Sequence, residues 1–289
     1  MDPVNSASME NADGKAADEL LFLMNLSKKD GIQRIQSEHR LRLVRLWGVG
    51  RGERILEIGC GQGDTTAALA YCTGPEGFVW GIDPAGEDYG APETLGMARD
   101  RLLSGPLAGR LRMDFGFDLV RDFDCLRGEA FDRVVLSHSL WYMDSYETLS
   151  EILKTCRRIG KKLSIAEWDP IAAEPEQAAH ACAAFLQAVC GCFAPLEEAN
   201  VRTIFMPDEI AAAVRLAGWH VERDGLLSSR QLQDGIWEKE NACTLCPRMI
   251  EKAQGMPAKL RRMLQAGLCE LEKMPAESPL DVYWLSACQ

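Results

Sequence analysis

The stretch LEIGCGQGDTT at residues 56–66 contains a short apolar run that leads into three glycines at alternate positions, Gly59, Gly61 and Gly63. Glycine lets a backbone turn sharply and approach a ligand closely, and a helix that follows such a turn presents free N–H groups to an anionic group. The stretch therefore predicts a buried strand, a ligand-binding turn and a helix. Nicotinamide and flavin proteins also use a turn of this kind, so the turn alone does not identify the ligand.

The positions that follow the glycines argue against a dinucleotide. The dinucleotide fingerprint needs a third glycine three residues after the second. Counted from Gly61 that position holds Asp64, and counted from Gly63 it holds Thr66. An acidic residue at the start of a helix also opposes a pyrophosphate, whereas S-adenosylmethionine (SAM) carries an ammonium group on its methionine tail. The turn therefore favours SAM.

A second signal lies in VWGID at residues 79–83, where an apolar strand ends in the carboxylate of Asp83. In Rossmann-type folds a carboxylate about twenty residues after the glycine turn binds a ribose through its free hydroxyls. Asp83 occupies that place. Together with the turn, it favours SAM as the ligand.

Residues 55–66, Asp83 and the FDRVV strand at residues 131–135 resemble motifs of the class I (Rossmann-like) SAM-dependent methyltransferases of small-molecule type. The resemblance covers roughly residues 40–227, and it implies SAM as cofactor and S-adenosylhomocysteine (SAH) as product. It also implies a polar residue after the third strand that binds adenine, for which Asp118 is the candidate and Asp114 the alternative. The cofactor-binding residues expected from the resemblance are Glu57, Gly59, Cys60, Gly61, Gln62, Gly63, Asp83, Pro84, Asp118, Ser137 and His138.

Strand and helix patterns alternate from about Arg54 onward, which is typical of a parallel sheet covered by helices on both faces. We predict an α/β fold with a doubly wound, mostly parallel seven-stranded sheet, N-terminal helices and a helical insertion before the last strand. The predicted strands are residues 54–58, 78–82, 110–117, 131–136, 162–166, 219–227 and 282–285.

We expect the whole chain, residues 1–289, to form a single methyltransferase domain. The insertion contains Pro247, Pro257 and Pro275, and we expect each proline to interrupt its helices. The predicted parts are an N-terminal helical cap (1–47), a SAM-binding core (48–228) with helical substrate elements at about 171–217, the helical insertion (229–279) and the last strand (280–289).

Composition restricts the partners of the chain. The formal net charge of −11 argues against nucleic acid and anionic membranes, because binding phosphates needs clustered Lys and Arg. Residues 1–15 lack the basic and apolar regions of a signal peptide, and the apolar run at 20–26 is too short to span a bilayer. We expect a cytoplasmic monomer or homodimer that acts on a small molecule.

The 11 cysteines are irregularly spaced, and residues 1–15 do not have the pattern of an export signal, so we expect reduced thiols and not a disulfide framework. Cys243 and Cys246 have the spacing of metal ligands, but a second pair is missing, so we expect no structural zinc.

The segment SHSLWY at residues 137–142 follows the predicted fourth strand, where the resemblance places the transfer site. It differs from the Asn/Asp-Pro-Pro-aromatic motif used to methylate amide or base nitrogens. It also lacks the acidic residue with which catechol-type enzymes hold magnesium. The resemblance therefore implies a metal-free reaction on another kind of acceptor.

Methyl transfer is a displacement on an activated sulfonium, so the protein mainly positions the acceptor and, where needed, takes its proton. His138 is the best-placed base, with cofactor anchoring or packing as its alternative roles. His39 could enter the pocket from the N-terminal helices or could serve in packing or at the surface. Glu167 ends the fifth strand beside Trp168, which would suit a cationic amine; a salt bridge to a neighbouring helix is the alternative.

The leading hypothesis is transfer of a methyl group to an O or N atom of a small, apolar or aromatic metabolite. The alternatives are a SAM-binding protein used for isomerisation, pericyclisation or regulation, and a nicotinamide-dependent oxidoreductase. Helix capping, surface solvation and ordinary core packing are the other roles open to the substrate candidates. These candidates are Trp141, Tyr142, Trp168, His180, Asn200, Arg202 and Trp237.

Overall fold

A central sheet of seven strands organises the protein. The computed structural model describes residues 3–27, 31–194, 200–276 and 278–289, without the side chains of residues 3–12. The strands are β1 (Arg54–Ile58), β2 (Phe78–Asp83), β3 (Leu111–Phe115), β4 (Phe131–Ser137), β5 (Gly160–Trp168), β6 (His220–Leu227) and β7 (Val282–Cys288). The helices are α1 (Pro3–Leu23), α2 (Gly31–Leu46), α3 (Asp64–Thr73), α4 (Leu95–Leu103), α5 (Tyr146–Arg157), α6 (Ala178–Gly191), α7 (Pro207–Leu216), α8 (Asp234–Lys252) and α9 (Ala258–Lys273).

The strand order is β3-β2-β1-β4-β5-β7-β6. Strands β1 to β5 pair in parallel, whereas β7 runs antiparallel to both β5 and β6. The direction of winding reverses between β1 and β4, and in open α/β sheets such a reversal opens a ligand-binding crevice at the carboxyl ends of the strands. The predicted doubly wound fold is confirmed, with α1 and α2 ahead of β1 and with α8 and α9 between β6 and β7.

The structure differs from the prediction at β3 and α8, and strands β5 and β7 are longer than predicted. Strand β3 ends at Phe115 because Gly116 has a φ of +69° and its N–H donates to the carbonyl of Ala85, which turns the chain back toward the end of β2. Helix α8 continues through Pro247. The buried side chains of Cys246 and Met249 hold the helix against its neighbours, and the exposed Pro247 costs it one backbone hydrogen bond.

A second apolar cluster lies apart from the core around the sheet, and it joins α6, α8 and α9. Leu186 of α6, Ile250 of α8 and Leu268 of α9 are among its buried members. Packing against α6 fixes the position of α8. None of the helices that the structure describes is long and apolar enough to cross a membrane.

Candidate active site

The glycine turn lies between β1 and α3. Gly59, Gly61 and Gly63 have φ values of +73°, +52° and +86°, a left-handed conformation that favours glycine. A Cβ atom at Gly59 would lie 2.5 Å from that of Ser139, whereas one at Gly61 would meet nothing within 4 Å. The turn is therefore packed against the segment after β4 on one side and open at Gly61.

Asp83 is the last residue of β2 and contacts this turn directly. Its Oδ2 accepts a hydrogen bond from the N–H of Gly61 at 2.9 Å, and its Oδ1 accepts one from the N–H of Ala85 at 2.9 Å. Burial raises the pKa of Asp83, and the two N–H donors oppose that rise. The carboxylate predicted from residues 79–83 thus lies at the glycine turn.

Glu57 lies beneath the turn and is buried in β1. It accepts a hydrogen bond from the hydroxyl of Thr66 in the first turn of α3 at 2.5 Å. Burial raises the pKa of Glu57 to about 8. This side chain links the strand to the helix that follows the glycines, and it fixes the direction in which that helix begins.

Other predicted cofactor residues surround the same turn. Gln62 donates to the carbonyl of Glu93 at 2.6 Å, and the Ser137 hydroxyl lies 3.4 Å from that of Thr65. Cys60 is buried, and Pro84 is exposed directly after Asp83. Their contact with a cofactor stays a prediction.

Both adenine candidates already have partners within the protein. Oδ1 of Asp118 accepts from the N–H groups of Val120 at 2.9 Å and Arg121 at 2.8 Å, which closes the turn after β3. Oδ2 of Asp114 accepts from the indole N–H of Trp80 at 2.7 Å. Asp114 is therefore bonded to a residue of the neighbouring strand β2. Asp118 lies in the loop after β3, at the edge of the sheet where the cofactor is expected.

A cavity of about 290 Å³ opens at the carboxyl ends of β4 and β5. It is closed from above by α2, by residues 200–201 and by one face of α8. Seven residues predicted from the sequence line it: His138, Trp141, Tyr142, Glu167, Trp168, Asn200 and Trp237. The structure thus brings together side chains from four separate segments.

His138 lies at the end of β4 with an unusual backbone φ of +52°. Its Nε2 is 3.4 Å from Nε2 of His39 in α2, and its Nδ1 is 3.9 Å from Oε1 of Glu167. Burial lowers the pKa of both histidines well below the usual value, and the positive charge of Arg40 adds to the effect. Both rings are therefore neutral at physiological pH, the form in which imidazole can accept a proton.

Glu167 joins the ends of β4 and β5. Its Oε2 accepts from the N–H groups of Leu140 at 2.8 Å and Trp141 at 3.2 Å, and its Oε1 accepts from that of Trp168 at 2.9 Å. Burial raises the pKa of Glu167 to about 7 against the opposing effect of these three donors. The side chain thereby holds the segment after β4 in place beside His138.

Two predicted substrate residues lie outside the cavity. Nδ1 of His180 accepts from the N–H of Leu280 at 3.0 Å, and the ring packs edge-on against Trp168 at 5.0 Å. Burial lowers the pKa of His180 to about 3. Arg202 forms an ion pair with Asp144 at 2.7 Å. His180 therefore supports the aromatic wall from behind, and Arg202 faces another part of the surface.

The sequence did not point to five further lining residues: Arg40, Val201, Asp234, Glu238 and Asn241. Three of them lie on α8 together with Trp237, at the spacing that places side chains on one helix face. This spacing is the sequence signal from which their shared helix face could have been predicted. Asp234 accepts from Gln36 of α2 at 2.8 Å, and Glu238 accepts from Asn200 at 3.1 Å. Burial raises the pKa of both carboxyl groups.

The two cysteines with metal-like spacing lie on α8. All 11 cysteines are free thiols. Within residues 3–27, 31–194, 200–276 and 278–289, no group of three or more His, Cys, Asp or Glu side chains could hold a metal ion.

A glycine turn at the point where the winding reverses, with a carboxylate at the end of β2, defines a Rossmann-like protein with a cofactor site at that edge. The chain is 34% identical to the cyclopropane-fatty-acyl-phospholipid synthase-like protein of Lactobacillus casei ATCC 334. That crystal structure matches 95% of this chain and 99% of its own, with a TM-score of 0.86. The chain belongs to the class I SAM-dependent methyltransferases, and it is an enzyme whose cofactor is SAM.

Two further relatives carry methyltransferase names. Methyltransferase phomM' of Diaporthe leptostromiformis is 26% identical over 80% of this chain and 72% of its own length. Demethylmenaquinone methyltransferase of Staphylococcus aureus (strain JH9) is 34% identical, but the match covers 38% of this chain and about half, 49%, of that relative. No protein-family model matches the chain.

Proposed function

We propose that this methyltransferase transfers the methyl group to an O or N atom of a small, apolar or aromatic metabolite, without a metal ion. The observation that carries the proposal is the cavity at the ends of β4 and β5, where Trp141, Tyr142, Trp168 and Trp237 surround a space beside His138. Aromatic side chains supply large apolar contact surfaces for a planar or apolar ligand.

The residues around the glycine turn fit the cofactor. When bound, SAM supplies a methyl group that is already activated by its sulfonium. The open side of Gly61 leaves room for a ligand against the backbone. Each carboxylate oxygen of Asp83 accepts one backbone N–H and can accept a second donor, which is the requirement for binding a ribose hydroxyl. Asp118 is the proposed adenine contact.

We assign the role of general base to His138. Its Nδ1 has no hydrogen-bond partner among the residues described and is buried next to the cavity. The neutral ring can take a proton from an O–H or N–H group of the acceptor, and the carboxyl of Glu167 at 3.9 Å would stabilise the resulting cation. His39 lies on the other side of the ring and helps to orient it.

The test is turnover with deuterium-labelled SAM and a panel of phenols, aromatic amines and demethylated quinones. The last class is included because one relative is named a demethylmenaquinone methyltransferase. Formation of SAH together with a product that carries the labelled methyl group on an oxygen or nitrogen atom supports the proposal, whereas a label on a ring carbon would contradict the O or N acceptor. If SAH does not form with any acceptor of this panel, the proposed substrate class is contradicted.

The role of His138 is tested with His138→Gln, with His220→Gln as the matched control at an exposed position on β6. Loss of a general base lowers kcat by roughly 10²- to 10⁴-fold. We expect that loss for His138→Gln, with SAH affinity retained, and wild-type kcat for His220→Gln. A wild-type kcat in the His138 variant would exclude it as the base.

We also propose that the protein acts in the cytoplasm, as a monomer or homodimer, on a free small molecule and not on nucleic acid or a membrane surface. The net charge of −11 argues against nucleic acid and membrane surfaces as partners, because binding to phosphates needs clustered positive charge.

A further inference from the structure

Arg40 is a half-buried cation of α2 with buried donors that the protein does not use. Its side chain lines the cavity beside His138, and its Nε and Nη1 atoms are buried without a hydrogen-bond partner among the residues described. A guanidinium carries only donors and keeps its charge at any physiological pH. Leaving such donors buried and unpaired is costly, so a ligand with acceptor oxygens would gain from meeting them.

The other arginines of α2 have carboxylate partners. Arg34 forms an ion pair with Asp18 at 3.0 Å, and Arg42 and Arg45 both pair with Asp13. Within the part of the chain that the structure describes, Arg40 forms no ion pair. Because the paired arginines and Arg40 belong to the same helix, Arg40 differs from them in the surface that it faces, which is the cavity.

That place lies between the glycine turn and the acceptor cavity. Burial raises the pKa of Glu57 and Asp64 at the turn and of Glu167 and Asp234 at the cavity, and the charge of Arg40 opposes that rise in all four. Arg40 therefore acts electrostatically on both halves of the site.

We propose that Arg40 binds a carboxylate group through its unpaired donors. The inference rests on the proposed function, because the two sources of that carboxylate are the methionine moiety of SAM and the methyl acceptor. A singly charged carboxylate fits better than a phosphate, since Asp234 and Glu238 line the same cavity and would repel a second negative charge.

The first arm of the test measures binding of SAH and of 5′-methylthioadenosine, which lacks the amino-acid moiety, by calorimetry. The variants are Arg40→Met, Arg40→Lys and the control Arg34→Met, whose ion pairs are partly exposed. If the carboxylate is that of the cofactor, Arg40→Met weakens SAH binding by roughly 10- to 100-fold. Binding of 5′-methylthioadenosine then stays unchanged, Arg40→Lys keeps part of the SAH affinity, and Arg34→Met keeps all of it.

The second arm measures benzoate and its uncharged counterpart benzyl alcohol in the presence of saturating SAH. If the carboxylate is that of the acceptor, Arg40→Met loses affinity for benzoate alone by a similar factor. Unchanged binding of both SAH and benzoate, or an equal loss for the charged and uncharged members of each pair, would overturn the proposal. Absence of SAH binding by the wild-type protein would instead contradict the proposed function, so the two failures are distinguishable.

Discussion

At the scale of single residues, Asp83 combines a structural bond with the proposed ligand contact. Its two oxygens hold the N–H groups of Gly61 and Ala85, so the carboxylate fixes the turn even before a ligand arrives. Pre-ordered acceptors do not have to be arranged when the ribose binds, and the cost of binding is lower for that reason.

We expect Asp83→Ala to weaken SAM binding by roughly 1.5–3 kcal/mol, the usual value of a hydrogen bond to a charged group. Asp83→Asn should lose less, because its amide oxygen can still accept one N–H. Calorimetric titration with SAH measures both, and Asp88→Ala serves as the control at an exposed position of the same loop. Unchanged affinity in Asp83→Ala would mean that the ribose is bound elsewhere.

Glu167 gives a prediction about pH. Its pKa in the folded protein is about 7, compared with an ordinary value of 4.5, because burial penalises the carboxylate. A proton is then bound more tightly in the folded than in the unfolded state. The resulting stabilisation is complete below about pH 4.5 and is lost as the pH rises through about 7.

The test compares the free energy of unfolding of the wild type with that of Glu167→Gln. Between pH 4.5 and 8 the advantage of the wild type should shrink by about 3 kcal/mol. Urea denaturation at several pH values measures the difference, with Glu151→Gln on the exposed face of α5 as the control. A pH-independent difference would show that burial does not raise the pKa of Glu167 above its ordinary value.

At the scale of elements, the sequence was sufficient to place a polar side chain where an apolar strand pattern ends in that residue. The prediction placed Asp83 and Glu167 at strand ends. Strand β2 ends at Asp83, and Glu167 is the second-last residue of β5. It failed at β3, because the turn at Gly116 depends on a hydrogen bond to Ala85 in another loop. Local pattern contains no information about such a partner.

The wall of the cavity was only partly predictable for a related reason. The residue type of Trp237 makes it a candidate, whereas the spacing that places Asp234 and Glu238 on the same helix face does not by itself show that this face of α8 turns toward the sheet. Arg40 was missed because an unpaired donor can be recognised only when all its neighbours are known.

Helix α8 carries its own prediction. Pro247 leaves the carbonyl of Cys243 without its helical donor, and its ring is exposed. Pro247→Ala should raise the free energy of unfolding by roughly 1–3 kcal/mol. Thr244→Ala, another exposed position of α8, should change it by less than about 0.5 kcal/mol. Loss of stability in Pro247→Ala would mean that the packing of Cys246 and Met249 requires the proline ring.

At the scale of the whole molecule, the two additions to the sheet close the same space from different sides. Helix α2 comes from the N-terminal part and α8 from the insertion before β7, and the hydrogen bond between Gln36 and Asp234 at 2.8 Å joins them. Trp47, just after α2, anchors that side by donating its indole N–H to the carbonyl of Ile165 in β5. The cavity at the ends of β4 and β5 therefore exists only when the sheet, α2 and α8 are folded together.

This dependence predicts how a bound ligand changes the stability of the full chain. A ligand that binds only the folded state at 100 times its Kd adds about 2.7 kcal/mol to the free energy of unfolding. For SAH we expect Tm to rise by roughly 5 °C. NADH at the same concentration should leave Tm unchanged, because the position that the dinucleotide fingerprint reserves for glycine holds Asp64. Thermal unfolding followed by circular dichroism measures both, and a rise in Tm with NADH but not with SAH would contradict the assignment of the glycine turn to SAM.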